Sequence, residues 1–220
     1  MRILKTIVLL LFVFLSLPTY AQMQDYDSYN RLGIQGGVTY GGLTGPDFET
    51  SPGIGFMGGL STRANVYRHM VIIYGVNFFQ FNTGLKLQET VSSEAILTDF
   101  KATGVQINLF GGYKLLGEHL SIEAGPVLQV SSKWKPEATF KEHFLEQSGL
   151  KAKDLEDVSQ INLNVAVNLS TGFRDFKFWF QYQYGINNIL KNIQAEEENS
   201  AAGKIEGHMS FATAGMVFYF

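Results

Sequence analysis

The sequence predicts an all-β fold, an eight-stranded antiparallel up-and-down transmembrane β-barrel with short turns at one end and long loops at the other. Three observations predict it. Eight segments alternate apolar and polar residues, their connections alternate short and long, and no segment after residue 21 has the roughly 20 consecutive apolar residues of a membrane-crossing helix. A chain that crosses a bilayer without such a helix must pair its backbone groups between strands, and only a closed barrel pairs them all.

The first 21 residues stand apart. Arg2 and Lys5 precede the apolar run Ile7 to Leu17, and Pro18, Thr19, Tyr20 and Ala21 follow it. This is the three-part form of a secretory signal peptide, cut before Gln22. Its loss removes two of the 17 basic residues and none of the 20 acidic ones, so a formal charge of −3 becomes more negative. A mildly acidic exported chain has no electrostatic footprint for nucleic acid. The absence of cysteine excludes a lipid-anchored start, a disulfide framework, thiolate metal sites and a thiol nucleophile.

The strands follow in order. LGIQGGVTYG (32–41), GIGFMGGLSTRANV (53–66) and MVIIYGVNFFQFNTG (70–84) are the first three. In TGVQINLFGGYKLL (103–116), Val105, Ile107, Leu109 and Tyr113 oppose Gln106, Asn108 and Phe110. In HLSIEAGPVLQVSS (119–132), Leu120, Ile122, Ala124, Leu128 and Val130 alternate with Ser121, Glu123, Gln129 and Ser131. SQINLNVAVNLSTGF (159–173) sets Ile161, Leu163, Val165, Val167 and Leu169 against Asn162, Asn164, Asn168 and Ser170. A helix would instead cluster its apolar residues at spacings of three and four. DFKFWFQYQYGI (175–186) sets Phe176, Phe178, Phe180, Tyr182 and Tyr184 against Lys177, Gln181 and Gln183. GHMSFATAGMVFYF (207–220) closes the set, apolar on both faces and ending on Phe220.

Connections 65–69, 115–119 and 173–175 are tight, whereas 42–52, 85–102, 133–158 and 187–206 are long and polar. Outer-membrane barrels have this asymmetry, with short turns and both termini in the periplasm and long loops outside. The chain therefore divides into a signal peptide (1–21), an N-terminal periplasmic segment (22–31) and a barrel domain (32–220). On this reading Phe176, Phe178, Phe180, Tyr182, Tyr184, Phe218 and Phe220 face the membrane. Arg63, Glu123, Lys177, Asn162, Asn164, Asn168, Gln181 and Gln183 form an interior polar cluster. Inverting the faces gives a soluble lipocalin-like barrel in the periplasm. Periodicity alone fits both; the aromatic row and the alternating loops favour the membrane. Interior charges must be paired or hydrated, and side chains fill an eight-stranded interior, which excludes a diffusion pore.

LSIEAGPVLQVSS (120–132), NLFGGYKLLG (108–117) and FQYQYGINNIL (180–190) occur in an order that resembles the PorT-like outer-membrane β-barrel family of Bacteroidota, and the terminal GMVFYF (215–220) is similar to the aromatic-ended strand read by the barrel-assembly machinery. The resemblance implies an outer-membrane location, outer-membrane lipid and the assembly machinery as partners, and an envelope or secretion partner, since the family includes a secretion-associated member.

Candidate chemistry is sparse. His69 and His119 sit at tight turns, where solvated polar residues are ordinary. His143, near Glu142 and Glu146, lacks a second histidine at ligand spacing, so a charged loop face is expected rather than a metal site. His208 and Ser210 share one strand face, an H-x-S arrangement similar to that of lipid A deacylase barrels. A base beside a nucleophile still needs an orienting acid, and Phe211 follows where that family has asparagine. GGLTGPDF (41–48) lacks the lysine and hydroxyl of a phosphate loop. The acidic AEEENS (195–200) reads as a solvated loop. The sequence therefore predicts a monomeric, non-enzymatic outer-membrane protein with no cofactor, no metal and no nucleic-acid partner; the competing readings are a lipid A-modifying esterase using His208 and Ser210, or the soluble barrel.

Overall fold

A computed structural model describes residues 29–45, 50–88, 96–134, 144–145, 158–190 and 206–220. The segment 1–21 expected to be a signal peptide, His143 with its neighbouring glutamates, and the acidic stretch 195–200 lie outside the described residues. The strands are β1 (Asn30–Thr44), β2 (Thr50–Tyr67), β3 (Met70–Gln88), β4 (Ile96–Leu116), β5 (Leu120–Ser131), β6 (Phe144–Leu145), β7 (Ile161–Gly172), β8 (Phe176–Gly185) and β9 (His208–Tyr219). All pairings are antiparallel. β1 pairs with both β2 and β9, and the additional β2–β3 pairing closes the sheet into a ring. The two-residue β6 lies outside that ring, added to the end of β3 through Leu87↔Leu145 and Gln88↔Phe144. Eight strands thus form the barrel, with every barrel edge paired to a neighbour.

The tight turns expected from the sequence are present. Arg68 and Gly117 take positive φ values of 35° and 52° at the β2–β3 and β4–β5 turns. In the left-handed region only glycine is free of a side-chain penalty, which explains Gly117 in LLGEH. Asn30 pairs with Ala64 and Arg31 with Arg63, so the barrel begins at Asn30 rather than at residue 32. No described helix is long and apolar enough to cross a membrane.

One stretch differs from expectation. The segment 85–102, read as a long loop, is mostly strand: β3 and β4 stay paired up to Leu87↔Ile96. The alternation continues there with its polarity reversed. Below this level Tyr74, Phe78, Ile107 and Leu109 are exposed on the outer face; above it the outer face carries Asp99 and Lys101 while Leu85, Leu87 and Phe100 are buried. The hairpin leaves the apolar belt and enters water, so its apolar face turns inward.

Along the belt the period-2 pattern decides the orientation. In β7 the residues Ile161, Leu163, Val165, Val167 and Leu169 are exposed, and Asn162, Asn164, Ala166, Asn168 and Ser170 are buried. The inverted reading would require the opposite. Large interior side chains fit beside glycines on neighbouring strands. A Cβ on Gly215 would stand 2.5 Å from the Trp179 indole, and one on Gly33 would stand 2.7 Å from the Tyr219 ring. Glycine at these two positions is what lets the aromatic rings fill the cylinder.

Candidate functional site: a charged well beneath an apolar stopper

The interior divides along its axis. At the turn end, β2, β5, β7 and β8 bring Arg63, Ser121, Glu123, Asn168, Ser170 and Lys177 to the inner face, all buried. Arg63 Nη1 donates to Glu123 Oε1 at 3.1 Å and Nη2 to Ser121 Oγ at 2.8 Å. Ser121 Oγ donates to Glu123 Oε1 at 2.5 Å, Asn168 Nδ2 donates to Oε2 at 2.7 Å, and Ser170 Oγ lies 2.8 Å from Oε2. The carboxylate therefore accepts from four side chains on three strands. A charge taken out of water is costly unless paired and hydrogen-bonded in this way. Alternation of β5 and β7 produces the site, since Glu123 pairs directly with Asn168 and Ser121 with Ser170.

Below this well, at the mouth, Lys177 Nζ donates to the Glu118 carbonyl and Lys114 Nζ pairs with the Glu118 carboxylate. Tyr29, preceding β1, donates its hydroxyl to the same carboxylate. The Tyr29 ring also lies within 5.4 Å of three cations, Arg31, Lys114 and Arg174. Burial, then the bond and charge of Glu118, push the Tyr29 hydroxyl up to about 12. Burial raises the Glu118 carboxyl, but the bonds from Lys114 and Tyr29 outweigh it and leave it below its ordinary value. Arg31 pairs with Asp175 at the rim.

Further up, a neutral amide layer takes over. Gln129 Oε1 accepts from Gln106 at 3.0 Å, and from Asn164 and Gln183 at 3.3 Å each. Gln181 donates to Gln183 at 3.2 Å, and Asn187 to Asn162 at 3.0 Å. The eight interior residues proposed from the sequence thus occupy two groups, ionic at the turn end and amide in the middle and upper barrel. The cavities among these side chains are about 20 and 10 Å³, at most a single water each.

At the loop end the interior becomes apolar, which the sequence reading missed. Phe81 contacts the rings of Phe79, Trp134 and Phe211 at 6.0, 5.6 and 5.0 Å. Leu43, Leu85, Leu87, Phe100, Val158, Ile189, Leu190 and Met209 belong to one buried cluster with them, which continues through Met57, Trp179, Val217 and Tyr219 towards the turn end. Trp134, Val158, Ile189 and Leu190 come from connecting segments, where isolated apolar residues in polar surroundings were the available signal. Ser159 N donates to the Ile189 carbonyl and Ile189 N to the Gly207 carbonyl, so these segments are tied across the mouth.

The outward residues lie where alternation puts them. Phe178, Phe180, Tyr182, Tyr184, Phe218 and Phe220 are exposed on the outer wall; Phe176 is half-buried against Phe178, ring centroids 4.9 Å apart. His208 and Ser210 also face outward at the upper rim, with different partners. His208 Nδ1 lies 3.0 Å from the Gly185 carbonyl and its ring stacks on Tyr184 at 5.6 Å, whereas Ser210 Oγ lies 3.2 Å from Thr44 Oγ1. His119 Nδ1 contacts the Gly172 carbonyl at 3.0 Å, and His69 packs near Tyr113. No cluster of three or more potential metal ligands occurs among the described residues.

Residues 20–191 match the family described as outer membrane protein beta-barrel domain. No functionally curated relative matches the sequence. Among solved structures, Neisserial surface protein A is similar at 14% identity and a TM-score of 0.49, over 86% of this chain and 97% of that one. Ail, the attachment invasion locus protein of Yersinia pestis, is similar at 13% identity and 0.47, over 87% and 99%. The outer membrane protein OprG from Pseudomonas aeruginosa is similar at 10% identity and 0.46, over 88% and 97%.

Proposed function

We propose, for a chain that belongs to the outer membrane protein beta-barrel domain family, a monomeric and non-enzymatic envelope protein that meets its partners through the loop end. Its location is the outer membrane. The observation that carries the functional reading is the filled interior: an ion-paired well at the turn end, bonded amides above it and an apolar cluster concentrated at the loop end fill the cylinder, leaving the outer wall and the loop end as the surfaces available for interaction. Ring closure supports the monomeric reading, because no strand within the ring offers an open edge for strand addition by a second copy. Within the family we place the chain with the PorT-like barrels, on the E-A-G-P run Glu123 to Pro126 and the aromatic-ended β9, which makes an envelope or secretion protein its partner class and the assembly machinery its insertion route.

The separate engagements of His208 and Ser210 support a non-enzymatic role. His208 is held by the Gly185 main-chain carbonyl and Ser210 by the Thr44 hydroxyl, neither of them a carboxylate. Nucleophilic catalysis would need the base on the hydroxyl and an acid behind the base.

Single-cysteine labelling tests the topology, because the native chain has no cysteine. A membrane-impermeant maleimide added to intact cells should label Lys133→Cys at the loop end, and should label Arg68→Cys only after the outer membrane is opened. Labelling of Arg68→Cys on intact cells would reverse the proposed orientation. Intact-cell pull-downs with loop-end variants would then read partner loss directly.

A further inference from the structure

The outer wall is not evenly packed. Between β2 and β5, on the side facing lipid, lies an open groove of about 820 Å³. It exists because Gly58 contributes no side chain to the outer row of β2 while its cross-strand partner Phe78, 70% exposed, stands out beside it. Phe56, Val105 and Val130 form the other apolar walls. Register places these side chains next to one another: Phe78 pairs with Val105 and Val105 with Val130, so they form one cross-strand row on the outer wall.

On β3, β4 and β5 that row is the upper limit of the outward apolar residues, whereas on β2 the exposed Phe56, which pairs with Gln80, and Ile54 continue them one and two steps higher. The next outward residues are Gln80 and Thr103, which pair with each other, and Ser132, whose hydroxyl lies 3.3 Å from Thr103 Oγ1. One step higher on the outer face of β4 is the exposed Lys101, with Asp99 beyond it, and the exposed Lys133 follows Ser132. From membrane to water the wall therefore presents an apolar groove, then hydroxyls and an amide, then two lysines against one aspartate.

We propose that this groove is a binding site for a phosphorylated, acylated lipid of the outer leaflet, with an acyl chain against Gly58 and Phe78 and the phosphate over Thr103, Ser132 and Lys101. The order of surfaces matches that lipid class in sequence and sign. A charged phosphate gains from hydroxyl and ammonium donors at the polar boundary, and the chain gains from apolar contact in a depression that a flat wall would not offer. The proposal rests on the loop end facing outward. The cysteine labelling above reports that orientation independently of any lipid measurement, so the two readings fail separately.

The test uses the full mature protein in detergent and native mass spectrometry. The probes are a bis-phosphorylated acylated glucosamine disaccharide, its dephosphorylated form, and phosphatidylethanolamine. One phosphorylated lipid should remain bound per barrel, with the other two probes retained at least about tenfold less, the size of one charge-assisted contact. Lys101→Gln should lower the phosphorylated adduct by a similar factor. Gly58→Leu should lower retention of all acylated probes by filling the groove; a Cβ there meets only the Gln35 carbonyl, at 3.4 Å, so the barrel accommodates it. Heat-modifiable migration on a gel verifies that each variant is folded; where one is not, Lys133→Gln replaces Lys101→Gln and Gly58→Val replaces Gly58→Leu. Equal retention of all three lipids, or an adduct unchanged by both groove and lysine variants, would show ordinary boundary lipid and overturn the proposal.

Discussion

At the turn end the cylinder is filled by Arg63, Glu123, Lys177 and their hydroxyl and amide partners; at the loop end it is filled by Leu43, Phe81, Leu87, Phe100 and Trp134. Both regions exclude water from a narrow barrel, and they do so with opposite chemistry. The difference follows from the outer surface. Where the wall touches hydrocarbon, the outward row takes most of the apolar residues, and the inward row carries polar groups that must satisfy one another, beside buried apolar residues such as Ile73, Phe110 and Val127. Where β3 and β4 rise above the belt, the wall touches water, the polar residues move outward, and the inside can be apolar. The two fillings should therefore fail differently. The ionic well is intolerant of losing one partner, whereas the stopper loses stability in proportion to the volume removed.

The largest contrast is expected at the well. Arg63→Met leaves the Glu123 carboxylate buried without its cation and should destabilise the barrel by about 3–5 kcal/mol, read by urea unfolding in lipid vesicles. Adding Glu123→Leu should recover most of that loss, because an apolar pair of similar volume replaces a costly ion pair. If the double variant is as unstable as the single, the well is not held by charge pairing. At the stopper, Leu87→Ala should cost roughly 2–5 kcal/mol through lost transfer energy and the cavity left behind. No second-site charge change should rescue it. A loss near zero would mean that the upper segments do not pack on the hairpin.

A smaller effect is expected at the mouth. Tyr29→Phe removes one hydroxyl bond to Glu118 from a half-exposed site, worth about 1 kcal/mol. Its pH dependence has a definite sign. The Tyr29 hydroxyl lies at about 12 in the folded chain, above the ordinary tyrosine value of about 10. The stabilisation is thus complete below about pH 10 and is lost as pH rises towards about 12. Protease release of the N-terminal segment should rise over that window in the native chain, and Tyr29→Phe should already be released at pH 8. The smallest effect is at the upper rim. Ser210→Ala should change stability by less than about 0.5 kcal/mol and leave the lipid A profile of the cell unaltered; a changed profile would restore the esterase reading.

The same reversal of faces explains what the sequence made legible. β7 and β8 were readable because a single rule, apolar out and amide in, holds along their whole length. The upper parts of β3 and β4 obey the same period of two, with Leu85 and Leu87 against Lys86, and Phe100 and Ala102 against Asp99 and Lys101. They read as loop because the polarity needed for a lipid-facing strand is inverted there. The ionic well was partly legible, since Arg63, Glu123 and Lys177 are charges on inward rows, but its wiring depends on the offset between β2 and β5, strands that are not neighbours in the sheet. Tyr29 gave no periodic signal, as it precedes the first strand, and Trp134, Ile189 and Leu190 are single apolar residues whose partners are set only once the ring has closed.

The account depends on which row of each strand meets hydrocarbon, and the native tryptophans offer the most direct measurement. The chain has two, Trp134 and Trp179, both buried in the interior. In vesicles of bromine-labelled lipid, native fluorescence should be nearly unquenched, and Phe180→Trp, which places an indole on the outer wall, should add a strongly quenched component. Strong quenching of the native chain, with no further quenching from Phe180→Trp, would put the amide row in contact with lipid and contradict the account.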